Sequence, residues 1–154
     1  AFAKPEPVYL DNLKHPKRDE VLVSLAGPAS NIVLAGLGAV IMRLLFDHAA
    51  SSMSFVVAQQ VMTFSSTFIV VNLSLAFFNL IPLPPLDGSS ILVPFLKGQA
   101  LSTYYKVQRY AMPILIVVLY LLPQLTGIDI IGLYFDVTVY PLAQRLLTFA
   151  IAGV

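Results

Sequence analysis

The chain contains no cysteine and few charged residues. Cysteine is absent from all 154 residues, which excludes a disulfide framework, a thiolate nucleophile and a cysteine-based zinc site. Charged residues make up 11% of the chain, whereas a soluble domain carries about a quarter. The net charge is only +1. A nucleic-acid-binding surface needs a clustered basic face, so no nucleic-acid partner is expected.

Hydrophobic residues make up 58% of the chain, and they are grouped into long segments. A membrane-spanning helix needs about 20 mostly apolar residues. Four segments are candidates: 21–42, 56–81, 110–125 and 128–154. The third is short, and Asp136 and Pro141 interrupt the fourth, which predicts a helix in two pieces. We therefore predict an all-α, multi-pass membrane protein, with the lipid bilayer as the solvent for much of its surface.

The first 20 residues, AFAKPEPVYLDNLKHPKRDE, are polar and spaced by prolines. A residue that precedes proline is pushed out of helical geometry, so the sequence predicts an extended segment over residues 2–10. This segment is either a solvated loop or a strand that pairs with another extended peptide at the membrane surface. The predicted organisation is a short extended lead-in, 1–20, followed by a membrane-embedded helical domain, 21–154.

The distribution of lysine and arginine predicts the orientation in the membrane, because cytoplasmic loops carry an excess of basic residues. Two basic groups flank the first two segments: Lys4, Lys14, Lys17 and Arg18 before the first, and Lys97, Lys106 and Arg109 after the second. Two spans separate these groups, so both lie on the same side. We expect the amino end and the region 82–109 on the cytoplasmic side.

Small residues recur at four-residue spacing in the first segment, within VSLAGPASNIVLAGLGA. Ala26 with Ser30, and Ala35 with Ala39, form small-xxx-small pairs, which allow helix backbones to approach closely in lipid. The sequence predicts a helix-packing face here, and no catalytic role is assigned to Asn31 within it.

The second hydrophobic segment ends abruptly in NLIPLPPLDGSS. Proline has no N–H and excludes helix at the residue before it. The three prolines therefore predict that the chain leaves the helix at about Leu80 and runs extended to Leu86. The result is a broken helix, with Asn79 at one end of the break and Asp87 at the other.

Asp87 is a carboxylate near membrane depth, where charged groups are costly and mark function by default. It could ligate a metal, relay protons or ions, or be the buried structural partner of an arginine or lysine. It could also cap a helix beginning at Ser89, since aspartate is a good N-cap, and Gly88 would allow a close turn before that helix. Capping alone accounts for neither the prolines nor Asn79.

The pattern N-x-x-P-x-P-P-L-D-G resembles the second signature motif of the site-2 protease family, the intramembrane zinc metalloproteases. The stretch SLAGPASN resembles the A-G-P-x-x-N segment of the same family. The resemblance implies that Asp87 is the third protein ligand of a zinc ion, and that Asn79 holds the substrate or the developing oxyanion. It also implies that Pro82, Pro84, Pro85 and Gly88 shape the break. A further hypothesis is that Pro82 and Pro84, in an extended stretch, bind a transmembrane substrate that unwinds locally.

The first motif of that family, H-E-x-x-H, supplies two zinc ligands and the general base, and it does not occur here. The only histidines are His15 and His48, and no glutamate follows Glu20. A second departure is LDGSS, because the family commonly carries Gly and Arg after the D-G pair. We expect the H-E-x-x-H helix to precede Ala1, and we expect the chain alone, with one zinc ligand of three, to be inactive.

The sequence thus predicts the carboxy-terminal part of an intramembrane zinc metalloprotease that hydrolyses peptide bonds of transmembrane substrates. Two other functions stay open. One is an inactive membrane scaffold that kept the fold without the first motif. The other is a small transporter subunit in which Asp87 relays protons or ions beside a broken helix.

Overall fold

The computed structural model describes residues 16–153, and this part of the chain consists of helices joined by turns, without a strand. The α-helices follow in chain order: α1 (Pro16–Ala49), α2 (Phe55–Asn79), α3 (Asp87–Leu92), α4 (Gln99–Arg109), α5 (Ala111–Ile116), α6 (Leu122–Thr126), α7 (Ile130–Val137) and α8 (Val139–Ala152). Two short 3-10 helices cover Ala50–Ser52 and Val93–Phe95, and a π-helical stretch, Val117–Leu121, joins α5 to α6. The all-α prediction is confirmed for the described residues.

Two of the described helical segments are long and apolar enough to cross a membrane, Arg18–Ser52 and Phe55–Asn79. A third crossing results if α4 and the segment Ala111–Thr126 form one span, although they meet at a bend of 77°. The structure therefore has two or three candidate spans in its described part, and the number four stays a prediction. The last hydrophobic segment is divided into α7 and α8 at Thr138, so its two-piece form is confirmed.

Helix α1 begins at Pro16, so the extended lead-in predicted for 1–20 is wrong for residues 16–20. Proline is compatible with the first turn of a helix, because its missing N–H would have no helical partner there. The segment predicted as extended, 2–10, lies outside the described residues.

Much of the surface is apolar, as contact with lipid requires. Phe55 and Leu125 are 82% and 81% exposed, and Phe64 and Val137 are 73% and 74% exposed. Exposure of such side chains to water is unfavourable, whereas hydrocarbon is a matching solvent for them. The surface therefore fits an integral membrane protein.

The chain divides into two compact units, and the second comprises residues 28–78 and 128–154. Its core is formed by apolar residues of three helices: Ala35, Ala39, Met42, Ile69, Leu73, Val139, Ala143 and Ala150. Ala35 and Ala39 are fully buried, so the helix-packing face predicted from their spacing is confirmed. Ala26 and Ser30 are exposed, and this pair is not part of the packed face.

Two side chains of the second unit bind carbonyl groups at helix ends. The hydroxyl of Tyr134 donates to the carbonyl of Phe77 at 2.7 Å, in the last turn of α2. Nη1 of Arg43 donates to the carbonyl of Phe149 at 2.9 Å, in the last turn of α8. The last carbonyls of a helix have no partner within the helix. The carbonyl of Phe149 also accepts from the N–H of Gly153 at 3.0 Å, so the bond from Arg43 adds to this cap at the end of α8, as the bond from Tyr134 adds to the end of α2.

The first unit comprises the chain up to Gly27 together with residues 79–127. Its described part contains the start of α1, the break that follows α2, and helices α3 to α6. Asn79 and Asp87 both belong to it. This unit therefore positions the residues that the sequence singled out.

Candidate active site around Asn79 and Asp87

Helix α2 ends at Asn79 and α3 begins at Asp87, and the connection between them is called the break below. The extended run predicted up to Leu86 is wrong. The N–H of Leu83 donates to the carbonyl of Ile81 at 2.8 Å, and the N–H of Leu86 donates to the carbonyl of Leu83 at 2.8 Å. The chain therefore crosses the break in two consecutive tight turns.

The turns follow from the need to pair backbone donors near a membrane. Three prolines in residues 80–86 have no N–H, which leaves few donors to satisfy. An extended chain would present the N–H groups of Leu83 and Leu86 without an internal partner, which is costly away from water. Tight turns pair both within the segment itself.

Gly88 allows the two sides of the break to approach each other closely. A Cβ at Gly88 would overlap the carbonyl group of Leu80 and would lie 2.6 Å from the carbonyl oxygen of Ile81. These neighbours are backbone atoms, which no side-chain rotation can move away, so only glycine fits this close approach. Because Leu80 follows Asn79 and Gly88 follows Asp87, the contact keeps the two helix ends adjacent.

Asp87 is the first residue of α3 and not its cap. The N-cap is Leu86, with φ −73° and ψ 151°, and it makes no side-chain capping bond. The hypothesis that Asp87 caps a helix beginning at Ser89 is therefore wrong, because the helix begins earlier. Asp87 is half-buried, and burial raises the pKa of its carboxyl because the charged form loses hydration.

Gly27 of α1 lies against the carboxylate of Asp87. A Cβ at Gly27 would be 3.4 Å from Oδ2 of Asp87, so the carboxylate faces a part of the helix that carries no side chain. Gly27 belongs to the stretch SLAGPASN. The two stretches that carry the family resemblance thus meet in the structure, although sequence spacing gave no sign of this contact.

Ser89 connects α3 to α4. It is buried, and its Oγ donates to the carbonyl of Leu86 at 2.8 Å. The hydroxyl of Tyr104 lies 3.4 Å from the same Oγ, and it must be the donor because Ser89 has already used its proton. The departure LDGSS therefore places at position 89 a hydrogen-bonding residue that steadies the first turn of α3, which begins at Asp87.

Asn79 is the last residue of α2 and is half-buried. Of the two prolines expected to contact substrate, Pro82 is exposed and Pro84 is buried. A buried ring packs against the protein itself and is not accessible to an incoming peptide. Pro82 is therefore the better candidate for substrate contact, and the burial of Pro84 suits its expected part in shaping the break.

The residues that the structure describes do not form a complete zinc centre. A catalytic zinc ion takes three protein ligands from histidine, carboxylate or thiolate side chains. Asp87 has the right chemistry for one, but no group of three such side chains occurs between residues 16 and 153. His48 lies in the last turn of α1, and His15 lies outside the described residues. The described part fits one ligand position and not a whole site.

The sequence of this chain is similar to those of proteins named as zinc metalloproteases. The sequence model of peptidase family M50 matches residues 47–122, a range that includes the whole break. The protein named "Putative zinc metalloprotease YwhC" from Bacillus subtilis (strain 168) is 34% identical over 122 residues, which cover 79% of this chain and 55% of that protein.

"Putative zinc metalloprotease Rip2" from Mycobacterium tuberculosis (strain ATCC 25618 / H37Rv) is 34% identical over 110 residues, which cover 69% of this chain and 38% of that protein. The chain therefore spans about half the length of the first relative and less of the second. No solved structure matches it.

Proposed function

We propose that this chain, which belongs to peptidase family M50, the site-2 protease family, forms part of an intramembrane zinc metalloprotease. Its relatives' names refer to zinc metalloproteases, and its exposed apolar helices fit a membrane location. The chain spans 55% of one relative and 38% of another. The proposal therefore concerns the complete protein, of which this chain contributes one side of the active site.

The main support for the proposal is the structure of the break between α2 and α3. Asn79 and Asp87 end and begin consecutive helices, and the contact of Gly88 with the Leu80 carbonyl keeps these ends adjacent. Irregular backbone near membrane depth is tolerated only where protein or a wet cavity surrounds it. An amide and a carboxylate placed together at such a break are suited to chemistry rather than to packing.

We assign Asp87 to the metal. Its carboxylate is half-buried, lies beside the backbone of Gly27, and does not cap α3. An ionised carboxylate is a normal third ligand beside two others. The remaining ligands and the general base would come from outside the described residues.

We assign Asn79 to the substrate. Its side-chain amide can donate hydrogen bonds to a peptide carbonyl, and more strongly to that oxygen when negative charge develops on it. A helical substrate has its carbonyls already bonded within the helix, so the substrate segment must unwind before it can bind. Exposed Pro82 would contact this unwound segment.

The test is Asp87→Asn in the complete protein. Asparagine keeps the size of the side chain but removes its charge, so we expect strongly reduced zinc content and no cleavage of a membrane-embedded reporter, with normal membrane insertion. Asp136→Asn is the matched control, since Asp136 is exposed on α7, and it should retain zinc and cleavage.

Other outcomes identify the competing functions. Normal zinc content and cleavage in Asp87→Asn would contradict the ligand assignment. A complete protein that neither holds zinc nor cleaves any reporter would indicate the inactive scaffold. Loss of ion or proton flux in Asp87→Asn, with no proteolysis in the unmodified protein, would indicate the transporter.

A further inference from the structure

Helix α4, Gln99–Arg109, lies at a steep angle to the apolar segment that follows it. The angle between α4 and Ala111–Thr126 is 77°. The latter segment has 16 residues without a charged side chain, and at 1.5 Å per residue it is about 24 Å long, most of the thickness of a bilayer core. If this segment crosses the bilayer by itself, and not as one span with α4, the 77° bend directs α4 almost along the membrane surface.

One face of α4 is attached to the protein. Leu101, Tyr104 and Val107 recur at three-residue spacing and are half-buried, whereas most of their neighbours in α4 are exposed. Tyr104 also contacts Ser89 through its hydroxyl at 3.4 Å. The helix is thereby fixed in its orientation, and the opposite face is presented outward.

The outward face is basic and aromatic. Ser102, Tyr105, Lys106 and Arg109 lie at i, i+3, i+4 and i+7, the spacing of a single helix face. With Gly98, and with Leu101 at the border between the two faces, they line an open cavity of about 470 Å³. Hydroxyl, ammonium and guanidinium groups therefore converge on one concave surface.

Helix α4 contains no acidic residue, and the acidic residues nearest to it in the sequence are Asp87 and Asp129. Residues 88–128 contain Lys97, Lys106 and Arg109 and no acidic residue. Among the described residues, the ion pairs are those of Arg18 with Asp19 and Arg43 with Asp47, so neither Lys106 nor Arg109 belongs to one. Helix α4 itself therefore carries two positive charges that are not in an ion pair within the described part of the chain.

Exposed aromatic side chains neighbour the basic ones along the helix. Tyr105 is 48% exposed, and Tyr110, at the corner between α4 and α5, is 63% exposed. Tyrosine is enriched where membrane meets water, because its ring is apolar and its hydroxyl is hydrated. This placement favours a headgroup region as the surroundings of α4.

We propose that the outward face of α4 binds the anionic headgroups of phospholipids in the membrane that holds the protein. Lys106 and Arg109 would pair with the phosphate, and the hydroxyls of Ser102 and Tyr105 would complete its hydrogen bonding. Attraction between anionic lipid and basic residues at a membrane surface is established physical chemistry. The proposal does not depend on proteolysis.

The test measures binding of fluorescent phosphatidylglycerol to the complete protein in neutral detergent micelles. Each basic residue near an anionic surface changes affinity about fivefold, so the double variant Lys106→Gln, Arg109→Gln should bind about 25-fold more weakly. Arg145→Gln removes one exposed charge from α8 and should leave binding within twofold. Raising the salt concentration should weaken the binding of phosphatidylglycerol by the unmodified protein, because salt screens exposed charges. This measurement tests the proposal without any variant.

Three results would overturn the proposal: equal binding of phosphatidylcholine, unchanged binding by the double variant, or a loss of binding in Arg145→Gln as large as in the double variant. Displacement of the lipid by an equal concentration of inorganic phosphate would also overturn it, since a free phosphate site would then be present. Proteolysis is not measured in this experiment, so its outcome is independent of the proposed enzyme activity.

Discussion

The backbone of Gly27 lies against the carboxylate of Asp87, with 3.4 Å between Oδ2 and the place where a Cβ would be. The first helix of the chain thus forms one wall of the position occupied by the candidate metal ligand. Glycine matters here for the space that it leaves and not for its backbone angles, since the residue is in the middle of a helix. This contact leads to the first prediction.

Gly27→Leu should displace Asp87, whereas Gly27→Ala should be tolerated. A Cβ alone meets the carboxylate at ordinary contact distance, but a larger side chain must push it aside, and such overpacking typically costs about 1–3 kcal/mol. We expect Gly27→Leu to lower zinc content and to lower cleavage about tenfold in the complete protein. Gly36→Leu is the control, because no atom lies within 4 Å of a Cβ at that position. Equal effects of Gly27→Leu and Gly36→Leu would show that Gly27 does not form a wall beside the Asp87 carboxylate.

Gly88→Ala should destabilise the break. The added methyl group would collide with the backbone carbonyls of Leu80 and Ile81, which cannot move without shifting the end of α2. We expect a loss of about 3 kcal/mol in stability, measured as a lower midpoint for thermal unfolding in detergent. Gly36→Ala should be neutral or stabilising, since alanine is favoured over glycine inside a helix. An unchanged midpoint in Gly88→Ala would show that the close approach is not essential.

Asn79→Ala should lower cleavage while zinc content stays normal. The side chain is assigned to the substrate oxygen, and loss of one such donor typically lowers the catalytic rate by about 100-fold or more. Zinc content and cleavage should be measured on the same sample of the complete protein, with Gln144→Ala as a control for loss of an exposed amide. Joint loss of zinc and cleavage would instead place Asn79 in the metal site, and a low yield of folded protein would indicate packing.

Cysteine labelling can test the membrane orientation, because the chain has no cysteine of its own. Ser102 is exposed on α4, and Ser52 is exposed after α1. The positive-inside distribution predicts that Ser102→Cys resists an impermeant thiol reagent added outside intact cells, whereas Ser52→Cys reacts. Labelling of Ser102→Cys from outside would reverse the orientation. Permeabilised cells, in which both positions should react, give the control for accessibility.

The location of the break could be predicted from the sequence, but its shape could not. Three prolines between Asn79 and Asp87 exclude helix locally, and this effect depends only on adjacent residues. Whether the excluded segment then runs extended or turns is decided by which carbonyls are near the N–H groups of Leu83 and Leu86. The sequence pattern contains no such distance, and the extended prediction was wrong for that reason.

The candidate side chains of Asn79 and Asp87 were likewise evident from the sequence, whereas their supports were not. Gly27 belongs to a stretch that carries the family resemblance, but the sequence gave no sign of its contact with Asp87 or of that between Tyr104 and Ser89, because these contacts join residues far apart along the chain. The recurrence of small residues did predict the packed face at Ala35 and Ala39. It did not separate them from Ala26 and Ser30, which have the same spacing and are exposed.

The sequence by itself determined that lipid surrounds much of the surface, that the chain is helical, and where the break lies. Hydropathy, helix period and the missing N–H of proline decide these features, and each acts over a few neighbouring residues. Only the tertiary structure decided that Asp87 begins α3, that Gly88 fits against Leu80, and that Gly27 faces the carboxylate. These features depend on contacts that form only when the chain folds. Steric fit between such residues produces no periodic pattern in the sequence, so it could not be predicted from the sequence.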